Sequence, residues 1–205
     1  MLFVLELIGT IAFAISGAVV GIQKKMDVFG VSILAMTTAV GGGIIRDIIL
    51  NVTPPAAFRR PVFALSAIAV GIIVFTLYRF HLEMEKLSFY DALLGVMDAI
   101  GLGLFTVIGV EAAYVHVADS NAYLAVFVGV VTGVGGGVMR DIFAGNTPAV
   151  FTKHFYACAS LIGAIVCALS WSRIDPVFSM LFGAITIVVL RNLASHYRWS
   201  LPKIK

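Results

Sequence analysis

Residues 41–48 have the sequence GGGIIRDI and residues 135–142 have the sequence GGGVMRDI, so the chain carries two near copies of one motif. Three further pairs keep the same order in both copies: Thr38 with Thr132, Thr53-Pro54 with Thr147-Pro148, and Glu6 with Asp98. One glycine triplet would be weak support, but several matches in one order predict an internal repeat.

The rest of the chain is unusually apolar. Of its 205 residues, 60% are hydrophobic and only 12% are charged, and the mean hydropathy is +1.04. A soluble domain carries about 25% charged residues, and disordered chains are far more polar, so both classes are excluded. The net charge of +3 would suit a nucleic-acid partner. In so apolar a chain, however, Lys and Arg indicate orientation in a bilayer, and we expect no nucleic acid as partner.

The hydropathy pattern predicts seven membrane spans, because a span needs about 20 mostly apolar residues. Clusters of charged and turn residues separate seven such segments: residues 2–22, 28–50, 61–78, 90–113, 122–144, 155–171 and 177–190. The sequence therefore predicts an all-α integral membrane protein that is surrounded by lipid.

Each copy of the repeat contains three spans. Because three is odd, the second copy must enter the membrane from the opposite side, which predicts two inverted three-helix repeats and a seventh helix. We place the first repeat at residues 1–88, the second at 89–172, and the seventh helix with a cytoplasmic tail at 173–205, all in one membrane domain. Inverted repeats are common in transport proteins, whose substrate site lies near the midplane between the halves.

Orientation follows from the Lys and Arg residues on each side of the spans. Nine lie on the side of the C-terminus: Lys24, Lys25, Arg79, Lys86, Lys153, Arg191, Arg198, Lys203 and Lys205. Three lie on the other side: Arg59, Arg60 and Arg173. We therefore expect the C-terminus in the cytoplasm and the N-terminus outside, in a bacterial or archaeal plasma membrane.

The triplets Gly41–Gly43 and Gly135–Gly137 are costly inside a span, at about 1 kcal/mol per glycine relative to Ala. Two gains would offset that cost. Glycines allow helices to pack closely, or they break the helix and leave bare backbone groups facing a polar cavity. Two triplets at equivalent depths favour the break. On that interpretation, Gly42→Leu and Gly136→Leu block flux without preventing membrane insertion.

Charged pairs follow both triplets inside or at the edge of a span. They are Arg46-Asp47 and Arg140-Asp141. A charge at the bilayer centre costs about 2.5–3.5 kcal/mol and suggests function, although side chains near helix ends also extend to the headgroups. Adjacent residues point about 100° apart on a helix, so we expect each Arg and Asp to pair with another element, such as the opposite repeat.

Hydroxyl, glycine and guanidinium groups recur at helical spacing in both copies. One stripe consists of Thr38, Gly42 and Arg46, and the other of Thr132, Gly136 and Arg140. Residues four apart share a helix face, so two facing stripes would line a polar path. Glu6 and Asp98 begin the first span of each copy, where they attract cations to a mouth or form hydrogen bonds at a helix end.

The histidines lack the spacing of a metal site, and neither a nucleophile motif nor a nucleotide-binding motif is present. We therefore predict no enzyme activity and no cofactor, and no metal other than a permeating monovalent cation.

Twin Gly-Gly-Gly-x-x-Arg-Asp motifs, each followed by Thr-Pro, in a seven-span chain of this length resemble the prokaryotic trimeric intracellular cation (TRIC) channel family. They equally resemble a related bacterial membrane family labelled as glycine transporters. The resemblance implies a homotrimer with a pore in each protomer, spans two and five kinked at the glycines, and permeation of monovalent cations, chiefly potassium.

Carried over by motif position, the resemblance places Gly41–Gly43 and Gly135–Gly137 at the constriction. The charged pairs Arg46-Asp47 and Arg140-Asp141 would then lie beside it. Ala149 stands where the first copy has Pro55, which predicts a less rigid loop after span five. A potassium channel is the favoured function. The alternative is a carrier of small amino acids with glycine as the leading substrate, and a third hypothesis is a scaffold without transport.

Overall fold

The structure is a computed structural model that describes residues 1–80, 87–152, 155–197 and 199, with side chains in the helix beginning at Leu87 described from Ala92 onwards. These residues form nine α-helices and no strand. The helices are α1 (Leu2–Gln23), α2 (Val28–Ile49), α3 (Ala56–Arg59), α4 (Val62–Phe80), α5 (Leu87–His116), α6 (Ala122–Phe143), α7 (Ala149–Thr152), α8 (Tyr156–Ser170) and α9 (Pro176–His196).

Six of the seven predicted spans coincide with long helices, and the remaining one, at residues 155–171, coincides with the shorter α8. Helices α1, α2, α4, α5, α6 and α9 are each long and apolar enough to cross a membrane. Helix α8 is apolar but has only 15 residues, which is about 22 Å at 1.5 Å per residue. The chain is an all-α membrane protein, as predicted. The proposed boundary after residue 88 lies in the first turn of α5.

The helix starts repeat along with the motifs. Asp27 caps α2 by accepting a hydrogen bond from the Gly30 N–H at 2.7 Å. Asn121, at the equivalent position before α6, accepts from the Leu124 N–H at 2.9 Å. Short polar side chains satisfy the otherwise unpaired amides of a first helical turn. Both spans that carry a glycine triplet therefore begin with the same kind of N-cap.

The helices pack as two similar groups of three. Helices α1, α2 and α4 contact one another, as do α5, α6 and α8, and the groups meet through contacts of α1 with α5 and of α2 with α6. Within the groups, Cβ atoms at Gly17 and Gly109 would lie 2.7 and 2.6 Å from the hydroxyls of Thr38 and Thr132. Small residues thus let the backbones approach, as in other membrane helix pairs. Within the described residues, helix α9 packs mainly beside the second group, on α5 and α8.

The glycine triplets do not break their helices, so that prediction is wrong for this conformation. Helix α2 is continuous through Gly41–Gly43, and α6 is continuous through Gly135–Gly137. In lipid, each unpaired backbone group costs several kcal/mol, more than the roughly 1 kcal/mol per glycine that continuing the helix costs. The chain therefore keeps its helical hydrogen bonds and uses the glycines for packing.

The two triplets meet where α2 crosses α6. A Cβ at Gly42 would overlap the carbonyl oxygen of Thr132, and a Cβ at Gly136 would overlap the carbonyl oxygen of Thr38. The two predicted stripes do face each other, but in direct contact that leaves no path between them. Gly42→Leu and Gly136→Leu are therefore expected to disrupt the packing of α2 against α6, and not to block flux in a protein that is otherwise folded.

Five of the cations used for the orientation count lie outside the described residues. They are Lys86, Lys153, Arg198, Lys203 and Lys205.

Candidate functional site

A water-accessible cavity opens between α1, α2 and α4 in the first group of helices. Its lining includes Glu6, Thr10, Arg46, Asp47, Arg60 and Phe105. A wider cavity of about 240 Å³ shares Glu6, Arg46, Asp47 and Arg60 and adds Glu111 and His116. Because the two cavities share these walls, we treat them as one space, the open vestibule. It lies on the membrane side that holds the N-terminus and the end of α5.

Arg46 and Asp47 form an ion pair in the wall of the open vestibule. The Arg46 Nε donates to the Asp47 Oδ1 at 2.8 Å, and the Asp47 Oδ2 accepts from the Ala56 N–H at 2.6 Å. Asp47 thus ties the end of α2 to the start of α3. The expectation that each would pair with another element is wrong for Arg46, because its long side chain reaches the neighbouring carboxylate directly. It holds for Asp47, which also accepts from the start of α3.

Arg140 and Asp141 repeat this arrangement in the second group. The Arg140 Nε donates to the Asp141 Oδ1 at 2.9 Å, and the Asp141 Oδ2 accepts from the Ala149 N–H at 2.8 Å. Here too the adjacent residues pair with each other, but each also has the expected partner on another element, Arg140 in Asp98 and Asp141 in Ala149. Arg140 does reach the opposite group, but through a hydroxyl, since its Nη1 donates to the Ser16 Oγ at 2.5 Å.

In the second group, the position that corresponds to the open vestibule is filled by contacts of Asp98. Its Oδ1 lies 2.6 Å from the Arg140 Nη1 and accepts from the Tyr156 hydroxyl at 3.3 Å, while its Oδ2 lies 3.7 Å from the Arg191 Nη2. The Arg191 guanidinium carbon also lies 4.5 Å from the centre of the Tyr156 ring, a cation–π distance. These buried contacts fill the space that is open in the first group.

Glu6 occupies the position equivalent to Asp98 but has a different environment. Its Oε2 is buried and has no hydrogen-bond partner among the described residues. No nitrogen of Arg46 lies within 4 Å of its carboxylate in the described part of the chain. These two carboxylates were predicted either to attract cations to a mouth or to form hydrogen bonds. Asp98 forms hydrogen bonds, whereas Glu6 faces a cavity.

Two phenylalanines at equivalent positions stack against each other where the two groups of helices meet. The rings of Phe13 and Phe105 stack with centroids 5.4 Å apart and planes 22° apart. Each ring packs on a glycine of the other group, Phe105 on Gly9 and Phe13 on Gly101. Phe105 also lines the inner end of the open vestibule. The Phe13–Phe105 stack thus packs across the contact between the two groups of helices.

The structure places the predicted pore residues in different environments. Gly43, Arg46 and Asp47 line the open vestibule. The hydroxyls of Thr38 and Thr132 are fully buried and donate to Leu34 and Val128 carbonyls of their own helices, at 2.6 Å each. Cβ atoms at Gly41 and Gly137 would meet Met139 and the Tyr156 hydroxyl. A pore role for any of these residues stays a prediction.

Sequence reasoning missed Ser16, Tyr156 and the Phe13–Phe105 stack as site residues. Arg191 was assigned only to orientation, although it lies inside α9 and is 8% exposed. An arginine within an apolar helix is the signal that would have identified it. Tyr156 and Ser16 carry no such signal, because a single hydroxyl in an apolar span occurs widely without function.

Comparison with known proteins places the chain in a family. A family model described as Glycine transporter matches residues 3–79 and 95–172. A solved structure described as the structural basis for conductance through TRIC cation channels is 35% identical, with a TM-score of 0.85, over 98% of this chain and 96% of that one. The chain belongs to the family of TRIC channels and bacterial glycine transporters.

Other members of this family are similar over the whole chain. The UPF0126 inner membrane protein YadS of Escherichia coli (strain K12) is 34% identical over 98% of this chain and 95% of its own length. The TRIC trimeric intracellular cation channel orthologue from Rhodobacter sphaeroides is 27% identical with a TM-score of 0.87, over 96% of this chain and 98% of that one. These family members are described as membrane proteins and channels, and this member is likewise not an enzyme.

Proposed function

We propose that the chain is a cation channel that conducts mainly potassium along a path between its two groups of helices. The observation that carries the proposal is the open vestibule, which leads from one membrane side past Glu6 to the Phe13–Phe105 stack. Beyond that stack, Asp98 holds the equivalent place from the other side. Weakly binding oxygens on either side of a short barrier suit rapid ion passage.

In the described conformation the path is closed at two places. One is the apolar Phe13–Phe105 stack, and the other is the Arg140–Asp98 ion pair with Tyr156 packed against it. Conduction requires both to move. The triplets Gly41–Gly43 and Gly135–Gly137, with Thr38 and Thr132, flank this region and would form its walls in the conducting state. Arg46, Asp47, Arg140 and Asp141 would fix the adjoining loops.

A carrier of small amino acids, glycine first, is the second candidate. The observation that favours it is the difference between the two groups, one open to its membrane side and the other closed. Carriers with inverted repeats expose one site to each side in turn, and the matched family model bears the description Glycine transporter.

Recording from the purified protein in a planar bilayer tests both candidates. For a channel, we expect unitary current steps in symmetric potassium chloride without glycine. Saturable glycine uptake by proteoliposomes, with no such steps, would replace the channel with the carrier. Neither current nor uptake from protein shown to be folded would leave a scaffold, and both proposals would then be wrong.

We also propose a homotrimer with one path per protomer, in a bacterial or archaeal plasma membrane, with the N-terminus outside and the C-terminus in the cytoplasm. The trimeric relative supports the assembly, and the Lys and Arg count supports the orientation. Chemical cross-linking in native membranes should stop at three chains.

The orientation has a separate test. In a chain without native cysteines, a cysteine at the exposed Asp119 should react with impermeant maleimide from outside intact cells. Labelling only after permeabilisation would reverse the orientation.

A further inference from the structure

Helix α9, which lies outside the repeat, brings a positive charge to the carboxylate of Asp98. The charge belongs to Arg191, whose side chain is buried near the C-terminal end of α9. Its Nη2 lies 3.7 Å from the Asp98 Oδ2, and its guanidinium carbon lies 4.5 Å from the centre of the Tyr156 ring. Because an arginine in a protein does not lose its proton, Asp98 has a permanent cation beside it.

Glycines hold α9 close to the second group of helices. A Cβ at Gly103 of α5 would lie 3.1 Å from the Ala184 carbonyl oxygen of α9, and a Cβ at Gly183 of α9 would lie 2.9 Å from the Gly163 carbonyl oxygen of α8. In the first group, the position equivalent to Gly103 is occupied by Ile11, whose side chain is 37% exposed. The close backbone contacts that place Arg191 beside Asp98 therefore depend on residues that differ between the two copies of the repeat.

Tyr156 fills the space under the guanidinium of Arg191. It is the first residue of α8 and is buried, whereas the first residue of α4 is the exposed Val62. A Cβ at Gly137 would lie 2.7 Å from the Tyr156 hydroxyl, but a Cβ at the equivalent Gly43 would meet only a guanidinium nitrogen of Arg46, at 4.0 Å. The tyrosine ring thus occupies, in the second group, the place that the open vestibule occupies in the first.

The charges that meet around Asp98 balance one another. Arg140 and Arg191 are positive, Asp98 and Asp141 are negative, and all four side chains are buried. A buried charge without compensation is costly. Without Arg191 these side chains would carry one net negative charge, which water or a mobile cation would have to compensate.

We propose that Arg191 is a tethered cation, which takes the place of a permeating cation beside Asp98 and so keeps the second group closed. A fixed arginine on a cation path is an electrostatic barrier. The path opens on this side when the guanidinium of Arg191 leaves Asp98. The inference rests on the proposed cation channel and names a regulator of its path, but the closure of the second group is also measurable without any current.

Potassium efflux from proteoliposomes tests the barrier. We expect Arg191→Gln to increase efflux severalfold, because it removes the tethered charge, and Arg191→Lys to increase it less, because the charge remains. Arg191→Met is the second neutral variant if the first does not fold. The matched controls are Asn192→Ala, at the next and exposed residue of α9, and Arg173→Gln, which removes an exposed positive charge. Both controls should conduct as the unchanged protein does.

A double variant tests whether Arg191 acts through Asp98. In the Asp98→Asn background the carboxylate charge is absent, so we expect Arg191→Gln to add no further efflux. An equal increase in both backgrounds would overturn the inference, because Arg191 would then act on something other than this carboxylate.

Thiol modification measures the closure separately from conduction. The Ser16 hydroxyl is buried and accepts from the Arg140 Nη1, so it reports on water that enters beside Asp98. In a chain without native cysteines, in lipid nanodiscs, a small cationic methanethiosulfonate should modify Ser16→Cys severalfold faster when Arg191→Gln is also present. Asn192→Ala in the same background should leave the rate unchanged.

The two readouts separate this inference from the proposed function. Faster modification with no potassium current in any variant would contradict the channel and support the closure by Arg191. Current through the unchanged protein, with no effect of folded Arg191→Gln on efflux or on modification, would support the channel and overturn this inference. Increased efflux without faster modification would also overturn it, because the opening would then lie elsewhere.

Discussion

At the scale of single residues, Asp47 has the most sharply defined structural role. Its two oxygens hold Arg46 and the Ala56 amide, so one carboxylate joins a helix end to the following loop. We expect Asp47→Asn to lower the free energy of unfolding by about 1.5–3 kcal/mol, because an amide offers one acceptor oxygen and no charge. Denaturant unfolding in detergent measures this. Asp119→Asn, at an exposed site, should stay within about 0.5 kcal/mol, and an equal loss in both would contradict the role.

Two neighbouring glycines provide a matched test of the helix crossing. A Cβ at Gly42 would overlap the Thr132 carbonyl oxygen, whereas a Cβ at Gly43 would meet only the Arg46 Nη2, at 4.0 Å. We expect Gly42→Ala to lower thermal stability and the yield of folded protein. Gly43→Ala should be neutral or stabilising by up to about 1 kcal/mol, because Ala is the better helix former. Equal effects of the two changes would mean that the crossing is not as close as described.

This pair also marks how far sequence reasoning reaches at the residue scale. The repeated triplets identify where the chain is special, and the cost of glycine requires a compensating gain. Whether that gain is packing or a break depends on what each missing Cβ would meet. At Gly42 the missing Cβ would meet the carbonyl of Thr132 in α6, which is 90 residues away in the chain. The sequence of α2 alone therefore does not predict this contact.

At the scale of elements, helix positions were predictable and side-chain pairings were not. Helix α2 ends at Ile49 and α6 at Phe143, one residue from the predicted span ends, because the bilayer requires apolar length and polar caps. The contact of Asp98 with Arg140 joins α5 to α6 and depends on how these helices are rotated. A span's composition fixes its length and leaves its rotation to packing.

A double-mutant cycle on α5 and α6 tests that contact. Asp98→Asn or Arg140→Gln alone leaves a buried charge with fewer partners, and we expect each to cost about 1.5–3 kcal/mol. The combined variant should cost less than the sum of the two, with a coupling of about 0.5–3 kcal/mol. Denaturant unfolding of all four proteins gives this coupling. Strictly additive losses would show that the two side chains do not interact.

At the scale of the whole molecule, the two groups carry similar motifs in different states. The sequence predicts a symmetric pair. Among the described residues, however, Asp98 of the second group is in an ion pair, whereas the Oε2 of the equivalent Glu6 has no partner. Helix α9 supplies a physical reason, because it packs beside the second group and brings Arg191 to Asp98 and Tyr156. A helix outside the repeat thus makes the halves unequal, which no comparison of the repeats themselves predicts.

The Phe13–Phe105 stack is the barrier on the proposed path, and its removal provides a test. We expect Phe105→Ala, and Phe13→Ala to a similar degree, to increase potassium efflux from proteoliposomes severalfold, because each opens an apolar constriction. Phe182→Ala, at an outward-facing position of α9 that is 55% exposed, is the matched control and should leave efflux unchanged. Unchanged efflux in folded Phe105→Ala and Phe13→Ala would remove the stack from the path.

The length of α8 has a consequence for the surrounding lipid. Its 15 residues reach about 22 Å, against a hydrocarbon layer of about 30 Å, while Leu161, Ile165 and Leu169 face outward along it. Lipids next to α8 must therefore compress or splay their tails, at a cost of a fraction of a kcal/mol per ångström of mismatch. We therefore expect a patch of thinned bilayer at this flank of the protein, where phospholipids with short acyl chains gather.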